Sequence, residues 1–377
     1  MRPRPGAVAF GSYRRWVEHK RYPANGLLGK MRRPSPPGLS RMRALLAQLP
    51  EHLQSGFRDG VEASRGLAGP RARPTFVVGL GGSGISADLA RVVVERETKV
   101  PFTAVRTSGL PSTADRDGLA VLLSHSGNTW ETLRAYDDAR RRSMRIVVLS
   151  SGGELARRAE VDGVALVLLN PDMPQRSSVG LTLGGLLGIL DAWFPESNEG
   201  RIERIAGRLG PRVSRLSRRQ GPPSRLAVRL GGRLPFIYAD APLLPIARRW
   251  ATQVEENAKR LAAFDEVPEA YHNAIVGWDH LDRRSARRFA TVLLEWDGSS
   301  PTVVQGNRYL ERLLVRRGAV AARVHFSTED LLEALLEGIA FGDLMSLELA
   351  EAGRVDPVPV DAIARYKDHL SRTTRSS

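Results

Sequence analysis

Short apolar runs alternate with helical segments between residues 75 and 193, and this alternation limits the choice of folds more than any other feature. The runs, rich in aliphatic and β-branched residues, are Thr75–Leu80, Phe102–Val105, Leu119–Leu123, Ile146–Leu149 and Val164–Leu169. Ser86–Glu95 and Trp130–Arg142 have the 3.6-residue period of a helix, and apolar Leu181–Trp193 predicts a buried closing helix. Buried strands that alternate with helices are typical of a parallel sheet covered on both faces.

The second half of the chain repeats this pattern. Apolar runs predict strands at Leu234–Ala239, Phe289–Leu294 and Val320–His325. The segments around them predict helices, at Pro242–Leu261, Pro301–Arg317 and Thr328–Glu351. The fold class we expect is therefore α/β, with two subdomains that each contain a parallel β-sheet flanked by helices in an αβα sandwich.

The formal net charge of the 377 residues is +15, from 56 Lys and Arg against 41 Asp and Glu. A charge of this size raises the question of a nucleic-acid partner. Residues 1–43 carry a net +10 and residues 201–233 a net +9, so the rest of the chain is mildly acidic. We expect no nucleic-acid partner, and binding through these two segments stays open as an alternative.

The same two segments set the expected domain limits. Residues 1–41 are rich in Pro, Gly and Arg without periodicity, and we expect a disordered extension or a wrongly assigned start. Residues 42–200 would form an N-terminal domain that begins with a helix over 42–55. Residues 201–233 predict a basic, solvated helical linker, because apolar residues recur there at helical spacing. Residues 234–377 would form the C-terminal domain.

Composition excludes several classes of protein. The chain has no Cys, which rules out disulfide scaffolds, Cys-ligated zinc and thiol nucleophiles. Its seven His lack metal-ligand spacing, so we expect no metal and no other cofactor. No apolar stretch is long enough for a membrane helix, and the basic N terminus lacks the apolar region of a secretory signal. The expected location is cytoplasmic, without a membrane partner.

Two turns rich in glycine or hydroxyls follow predicted strands. Gly79–Gly84 fits the dinucleotide fingerprint G-x-G-x-x-G, which also requires a carboxylate after the second strand, where this chain has Arg106. An NADP-binding variant that uses Arg106 stays open. The third strand leads through Ser124-His125-Ser126-Gly127-Asn128-Thr129 directly into a helix. This turn predicts a cradle for one phosphate, with helix capping by Ser126 or Thr129 as the structural alternative.

Together, GGSGIS (81–86) and SHSGNT (124–129) resemble the sugar isomerase (SIS) domain, which binds phosphosugars. QVEENAK (253–259) and VPEAYHNAIVGW (267–278) are similar to signatures of the bifunctional phosphoglucose/phosphomannose isomerases. The resemblance extends over about residues 42–370 and departs from the family pattern at three positions, His125, Trp130 and Ala274. It implies two SIS subdomains and a set of phosphosugar-binding residues, Gly82, Ser83, Ser124, Ser126 and Thr129.

The activity that this resemblance implies is aldose–ketose isomerisation. The substrates would be glucose 6-phosphate and fructose 6-phosphate, with mannose 6-phosphate also accepted. The proton would move through a cis-enediolate without a metal, so zinc-dependent phosphomannose isomerases are poor models. The resemblance also implies a homodimer in which His272 acts in the neighbouring subunit's site.

Three residues are expected to carry the isomerisation chemistry. Glu256 and His272 belong to these motifs, and Arg176 lies in the loop after the fifth predicted strand. Glu256 would remove the C2 proton, His272 would act on the ring oxygen, and Arg176 would stabilise the enediolate oxygens. Each has a structural alternative. These are an i,i+3 pair of Glu256 with Lys259, an ordinary surface histidine, and an Arg–carboxylate pair.

Lys367 is the fourth expected catalytic residue. Only five of the 56 basic residues are Lys, so a Lys that persists indicates a place where a guanidinium does not serve. Lys367 lies in a predicted C-terminal helix, Asp361–Leu370, and matches the family's catalytic Lys; a solvated surface Lys is the alternative. A non-catalytic SIS-type phosphosugar-binding regulator is the alternative function, and the presence of Glu256, His272 and Lys367 favours the enzyme.

Overall fold

The computed structural model of the protein describes residues 35–65 and 73–373. Most of the predicted extension, residues 1–34, therefore lies outside the described residues. The described residues from Pro36 onward belong to one compact unit. Within its described part, the secondary structure alternates between strands and helices, as the sequence pattern predicts.

Two helices precede the first sheet, where the sequence predicted one over residues 42–55. Helix α1 spans Gly38–Ala47 and helix α2 spans Leu49–Ser64. The second helix starts anew because Pro50 lies in its first turn, where a missing N–H costs nothing. Helix α1 also begins before residue 42, and its Leu39 is buried in the core.

The first sheet has five parallel strands. They are β1 (Thr75–Val78), β2 (Phe102–Val105), β3 (Leu119–Leu123), β4 (Arg145–Ser150) and β5 (Ala165–Leu168). The helices that follow these strands are α3 (Gly82–Glu97), α4 (Trp130–Arg141), α5 (Gly153–Val161) and α6 (Val179–Leu190). The strand order is β2-β1-β3-β4-β5, with Val77 of β1 in register with Ala104 and Val121. The order reverses direction between β1 and β3, and such a switch point opens a crevice at the carboxyl ends of the strands.

The predicted basic linker consists of two helices, α7 (Glu199–Leu216) and α8 (Pro222–Leu230). One face of α7 is buried through Ile202, Ile205 and Leu209, as helical spacing predicts. The other face is less solvated than expected, because several of its arginines are ion-paired. These pairs join Arg201 to Glu97 and Asp330, Arg208 to Glu333, and Arg212 to Glu337.

The second sheet has four parallel strands, β6 (Leu234–Ala239), β7 (Ala263–Glu266), β8 (Phe289–Trp296) and β9 (Val320–Phe326). Their order is β7-β6-β8-β9. The helices are α9 (Leu244–Ala258), α10 (Ala274–His280), α11 (Arg283–Ala286), α12 (Pro301–Arg317), α13 (Leu331–Gly353) and α14 (Asp361–Thr373). Strand β7 was not predicted, because four half-buried residues at a sheet edge, two of them acidic, give no apolar run.

The largest hydrophobic cluster includes residues from both sheets. Val121 of β3, Val292 of β8 and Leu335 of α13 all belong to it. The expected α/β class, with two parallel sheets flanked by helices, is confirmed. None of the helices in the described ranges is long and apolar enough to cross a membrane.

Candidate active site

Five loops meet at the carboxyl edge of the first sheet, because all its strands run parallel. The loop after β1 contains the predicted phosphate-binding residues Gly82 and Ser83. Gly81 has a φ of +56° and precedes α3, which has no side-chain cap. Ser83 is buried, and its Oγ accepts a hydrogen bond of 3.2 Å from Nε2 of Gln175, which lies after β5. The loops after β1 and β5 are thus joined directly.

The loop after β3 holds the other three predicted phosphate-binding residues. Ser124 is buried, and its Oγ donates to Thr129 Oγ1 at 2.9 Å. Ser126 is exposed, and its Oγ accepts from the Asn128 amide at 3.4 Å. Thr129 occupies the N-cap position of α4 without a side-chain cap bond, so the capping alternative is not the arrangement seen. The first-turn amides of α4 therefore keep their partial positive charge for an anion.

Gly127 allows this loop to pack against the loop after β4. Its φ is +66°, and a Cβ at this position would lie 1.8 Å from the Gly152 carbonyl oxygen. Its carbonyl accepts a bond of 2.9 Å from the Leu155 amide in α5. Only glycine meets both requirements, a left-handed backbone and a contact of backbone against backbone.

Arg176 connects the two halves of the chain. Its side chain is buried, and Nε donates to Asn257 Oδ1 at 2.7 Å. One terminal nitrogen lies 3.5 Å from a carboxylate oxygen of Glu256, and the other donates to the carbonyls of Pro357 and Val358. Burial lowers the pKa of Arg176, and the negative charge of Glu256 opposes that shift. An Arg–carboxylate pair was the structural alternative for Arg176, and the structure contains such a pair, between Arg176 and Glu256.

Glu256 lies in the last turn of α9 with a side chain that is 27% exposed. The alternative role of Glu256 was an ion pair of its carboxylate with Lys259, and the structure does not show this ion pair. Lys259 Nζ donates to the main-chain carbonyl of Glu256 instead of its carboxylate. The carboxylate faces Arg176.

The other two expected catalytic residues, His272 and Lys367, have exposed side chains. His272 is exposed and follows a short 3-10 turn after β7, and Lys367 is exposed on α14. Within residues 35–65 and 73–373, no hydrogen bond or ion pair joins either side chain to Glu256 or Arg176. The structure therefore brings together two of the four expected catalytic residues. In the same ranges, no group of three His, Asp or Glu side chains is placed to hold a metal ion.

Sequence reasoning missed the residues that support Arg176. Arg249 is buried, pairs with both carboxylate oxygens of Asp343 at 2.7 and 3.0 Å, and donates to the Arg176 carbonyl at 2.8 Å. Asn257 is fully buried and also donates to Ser346 Oγ at 2.8 Å. A usable signal was the position of Arg249 on the apolar face of α9, beside Trp250. A charged residue on a buried face requires a partner.

A family model and a solved structure identify the class of fold. Residues 219–370 match the family model described as the bacterial phospho-glucose isomerase C-terminal SIS domain. A solved structure of a hypothetical protein from Thermus thermophilus superposes with a TM-score of 0.71 at 14% identity, over 90% of this chain and 95% of that one. The fold is therefore that of SIS-domain proteins.

The sequence relatives narrow the class to a family. A bifunctional phosphoglucose/phosphomannose isomerase of Aquifex aeolicus is 29% identical over 78% of this chain and 89% of its own length. One from Pyrobaculum aerophilum is 30% identical over 78% of this chain and 86% of its own. A D-glucosamine-6-phosphate 4-epimerase of Sulfolobus acidocaldarius is 30% identical over 60% of this chain and 70% of its own length. The chain belongs to the bifunctional phosphoglucose/phosphomannose isomerase family, whose members are phosphosugar isomerases.

Proposed function

We propose that the protein interconverts glucose 6-phosphate with fructose 6-phosphate and mannose 6-phosphate with fructose 6-phosphate. The observation that carries this proposal is the pairing of Glu256 with Arg176, which follows directly after Gln175, the hydrogen-bond partner of Ser83, in a chain of this family. A carboxylate beside a guanidinium supplies a base and a cation for the oxygens of an enediolate.

In this proposal, residues 42–200 bind the phosphate and residues 234–377 supply most of the catalytic groups. The amides at the start of α3 and α4, with the hydroxyls of Ser83, Ser124, Ser126 and Thr129, would surround the phosphate. Gly82 would let the phosphate approach the backbone. Binding energy from the phosphate would then orient the sugar carbons toward Glu256.

The proton transfer can be written with Glu256 as the single base. Its carboxylate removes the proton from C2 of the open-chain aldose, the C–H electron pair forms the C1=C2 double bond, and the carbonyl electrons move to O1, which gives a cis-enediolate. The hydroxyl proton of O2 then moves to O1, and Glu256 returns its proton to C1 as O2 becomes the ketone oxygen. The Arg176 guanidinium, 3.5 Å from that carboxylate, would stabilise the negative charge on the enediolate oxygens.

His272 and Lys367 would act on ring opening. We propose a homodimer in which His272 reaches the site of the second copy, which its exposed position permits. Lys367 would serve as a proton donor or acceptor at the ring oxygen, a role that suits a compact ammonium. No cofactor enters this scheme.

The test compares two neighbouring carboxylates. Glu256→Gln should reduce turnover of glucose 6-phosphate at least about a thousandfold while binding of the sugar phosphate persists, because the base is lost and the cradle is not. Glu255→Gln is the control, since Glu255 is exposed on the same helix turn and has no assigned role. A coupled assay with each aldose phosphate, without added metal, gives both rates. Normal turnover by Glu256→Gln would refute the role of Glu256.

A second candidate follows from the relative named as an epimerase. Its 30% identity makes glucosamine 6-phosphate a substrate to test alongside the neutral sugars. Product analysis by NMR distinguishes inversion at C4 from aldose–ketose isomerisation. Binding of phosphosugars without any conversion would instead favour the non-catalytic regulator.

A further inference from the structure

The segment between α13 and α14 passes directly over the paired residues of the candidate site. The Pro357 carbonyl accepts hydrogen bonds from both Arg176 and Lys259, the latter at 3.2 Å. The Val358 carbonyl accepts from Arg176 at 3.3 Å, and the Pro359 carbonyl accepts from Lys259 at 2.6 Å. Three consecutive carbonyls are therefore held by two cationic side chains from elsewhere in the chain.

Lys259 has a geometry that matches this task. It ends α9 in the left-handed conformation, with φ 55° and ψ 41°, which returns its side chain toward the last turn of the helix. Its ammonium donates to three carbonyls, those of Glu256, Pro357 and Pro359. An ammonium has three N–H donors in a tetrahedral arrangement, so each donor has a partner.

A guanidinium could not replace this ammonium. Its donors lie in one plane and suit paired acceptors such as carboxylates, whereas the three carbonyls here converge on a single nitrogen. The chain contains Lys at only five positions against 51 Arg. Lys259 is thus a position where the choice of Lys has a visible geometric reason.

The carbonyls that Lys259 holds lead directly into α14. Residues 361–369 of this helix are exposed, and residues 357–359 lead directly into its first turn. The Asp356 carboxylate, which accepts from the Val358 amide at 3.0 Å, stabilises the turn that starts the segment. Lys259 therefore connects the end of the helix that carries Glu256 with the start of the helix that carries Lys367.

We propose that Lys259 is a positioning residue, which fixes residues 357–359 to the end of α9 and thereby sets the position of α14 relative to Glu256. The effect on turnover rests on the proposed function, in which Lys367 acts on the substrate. The effect on the mobility of residues 357–369 does not, because it follows from the hydrogen bonds alone.

The experiment measures both effects in the full-length protein. Lys259→Arg keeps the charge and loses the convergent geometry, and Lys259→Gln keeps two N–H donors without the charge. Lys99→Arg is the matched control, at an exposed lysine outside the site. We expect kcat for glucose 6-phosphate to fall by about tenfold to a hundredfold in both Lys259 variants, with KM changed less than about threefold. Hydrogen exchange of the amides in residues 357–369 should become faster, while Lys99→Arg leaves kcat and exchange unchanged.

The outcomes distinguish the positioning role of Lys259 from the proposed isomerase function. Faster exchange with unchanged kcat would show that Lys259 is only structural and would overturn the positioning role. Unchanged hydrogen exchange in both Lys259 variants would show that Lys259 does not hold residues 357–359, and would overturn the proposal. If the wild-type protein converts none of the sugar phosphates, the proposed function fails, and the exchange comparison still decides whether Lys259 holds residues 357–359. Urea midpoints of the Lys259 variants near the wild-type value would show that a lower kcat is not caused by global unfolding.

Discussion

Replacing Gly127 by Ala tests the predicted phosphate-binding loop where it packs most closely against the loop after β4. The new Cβ would lie 1.8 Å from the Gly152 carbonyl oxygen and 3.0 Å from the Gly153 Cα, both backbone atoms. No rotamer change can relieve such a contact. The loops after β3 and β4 would have to separate by at least about 1 Å to restore van der Waals distance.

Two costs contribute to the magnitude. A left-handed conformation with a Cβ costs about 1–2 kcal/mol, and overpacking of a well-packed contact costs about 1–3 kcal/mol. We therefore expect Gly127→Ala to lower the free energy of unfolding by about 2–5 kcal/mol. Displacement of Ser124, Ser126 and Thr129 by about 1 Å should reduce kcat/KM for glucose 6-phosphate about a hundredfold.

The assay combines urea unfolding with coupled measurement of kcat/KM for glucose 6-phosphate. Gly207→Ala is the control, because Gly207 is exposed in the middle of α7 with no atom near the added methyl group. It should raise the free energy of unfolding by about 0.5–1 kcal/mol, since Ala favours a helix over Gly. Wild-type stability and wild-type kcat/KM in Gly127→Ala would refute the packing of these two loops as described.

Two further predictions concern buried charges. Asp343→Asn should lower the free energy of unfolding by about 3–5 kcal/mol in urea titrations, because it leaves the buried Arg249 without its carboxylate. Asp279→Asn, in an exposed pair with Arg317, should change little, and equal effects would contradict this reasoning. Burial lowers the pKa of His125 below its ordinary 6.5, so the unfolded chain binds protons more readily and stability falls as the pH drops below 6.5. Between pH 7.5 and 5.5 this loss reaches at most about 1.4 kcal/mol, and urea midpoints of His125→Gln should show a smaller pH dependence than wild type.

Most of the fold could be predicted from the sequence because buried strands have a strong pattern. Phe102–Val105, Leu119–Leu123 and Leu234–Ala239 agree with the structure at both ends. Strand β7 could not be predicted, since a short edge strand is stabilised by backbone pairing with β6 and not by an apolar run. The break between α1 and α2 was visible as Pro50 and was overlooked.

The candidate site was predictable only in part. Motifs predicted the phosphate-binding residues and Glu256, because the residues of each motif are close together in sequence, and these assignments stay predictions. The partners of Arg176 come from positions about 80 and 180 residues further along the chain. Such contacts depend on how α9 and the segment after α13 pack, which periodicity does not report. His272 and Lys367 retain the roles assigned from family motifs as predictions.

The partners of Arg176 have a consequence for the order in which the protein is made. A chain that has been synthesised only through residue 355 contains Arg176 and Glu256, but it lacks the Pro357 and Val358 carbonyls. A buried guanidinium with missing acceptors is costly, so the crevice cannot reach its final form at that stage. The hydrogen bonds of Arg176 are therefore completed only after residues 357 and 358 have left the ribosome.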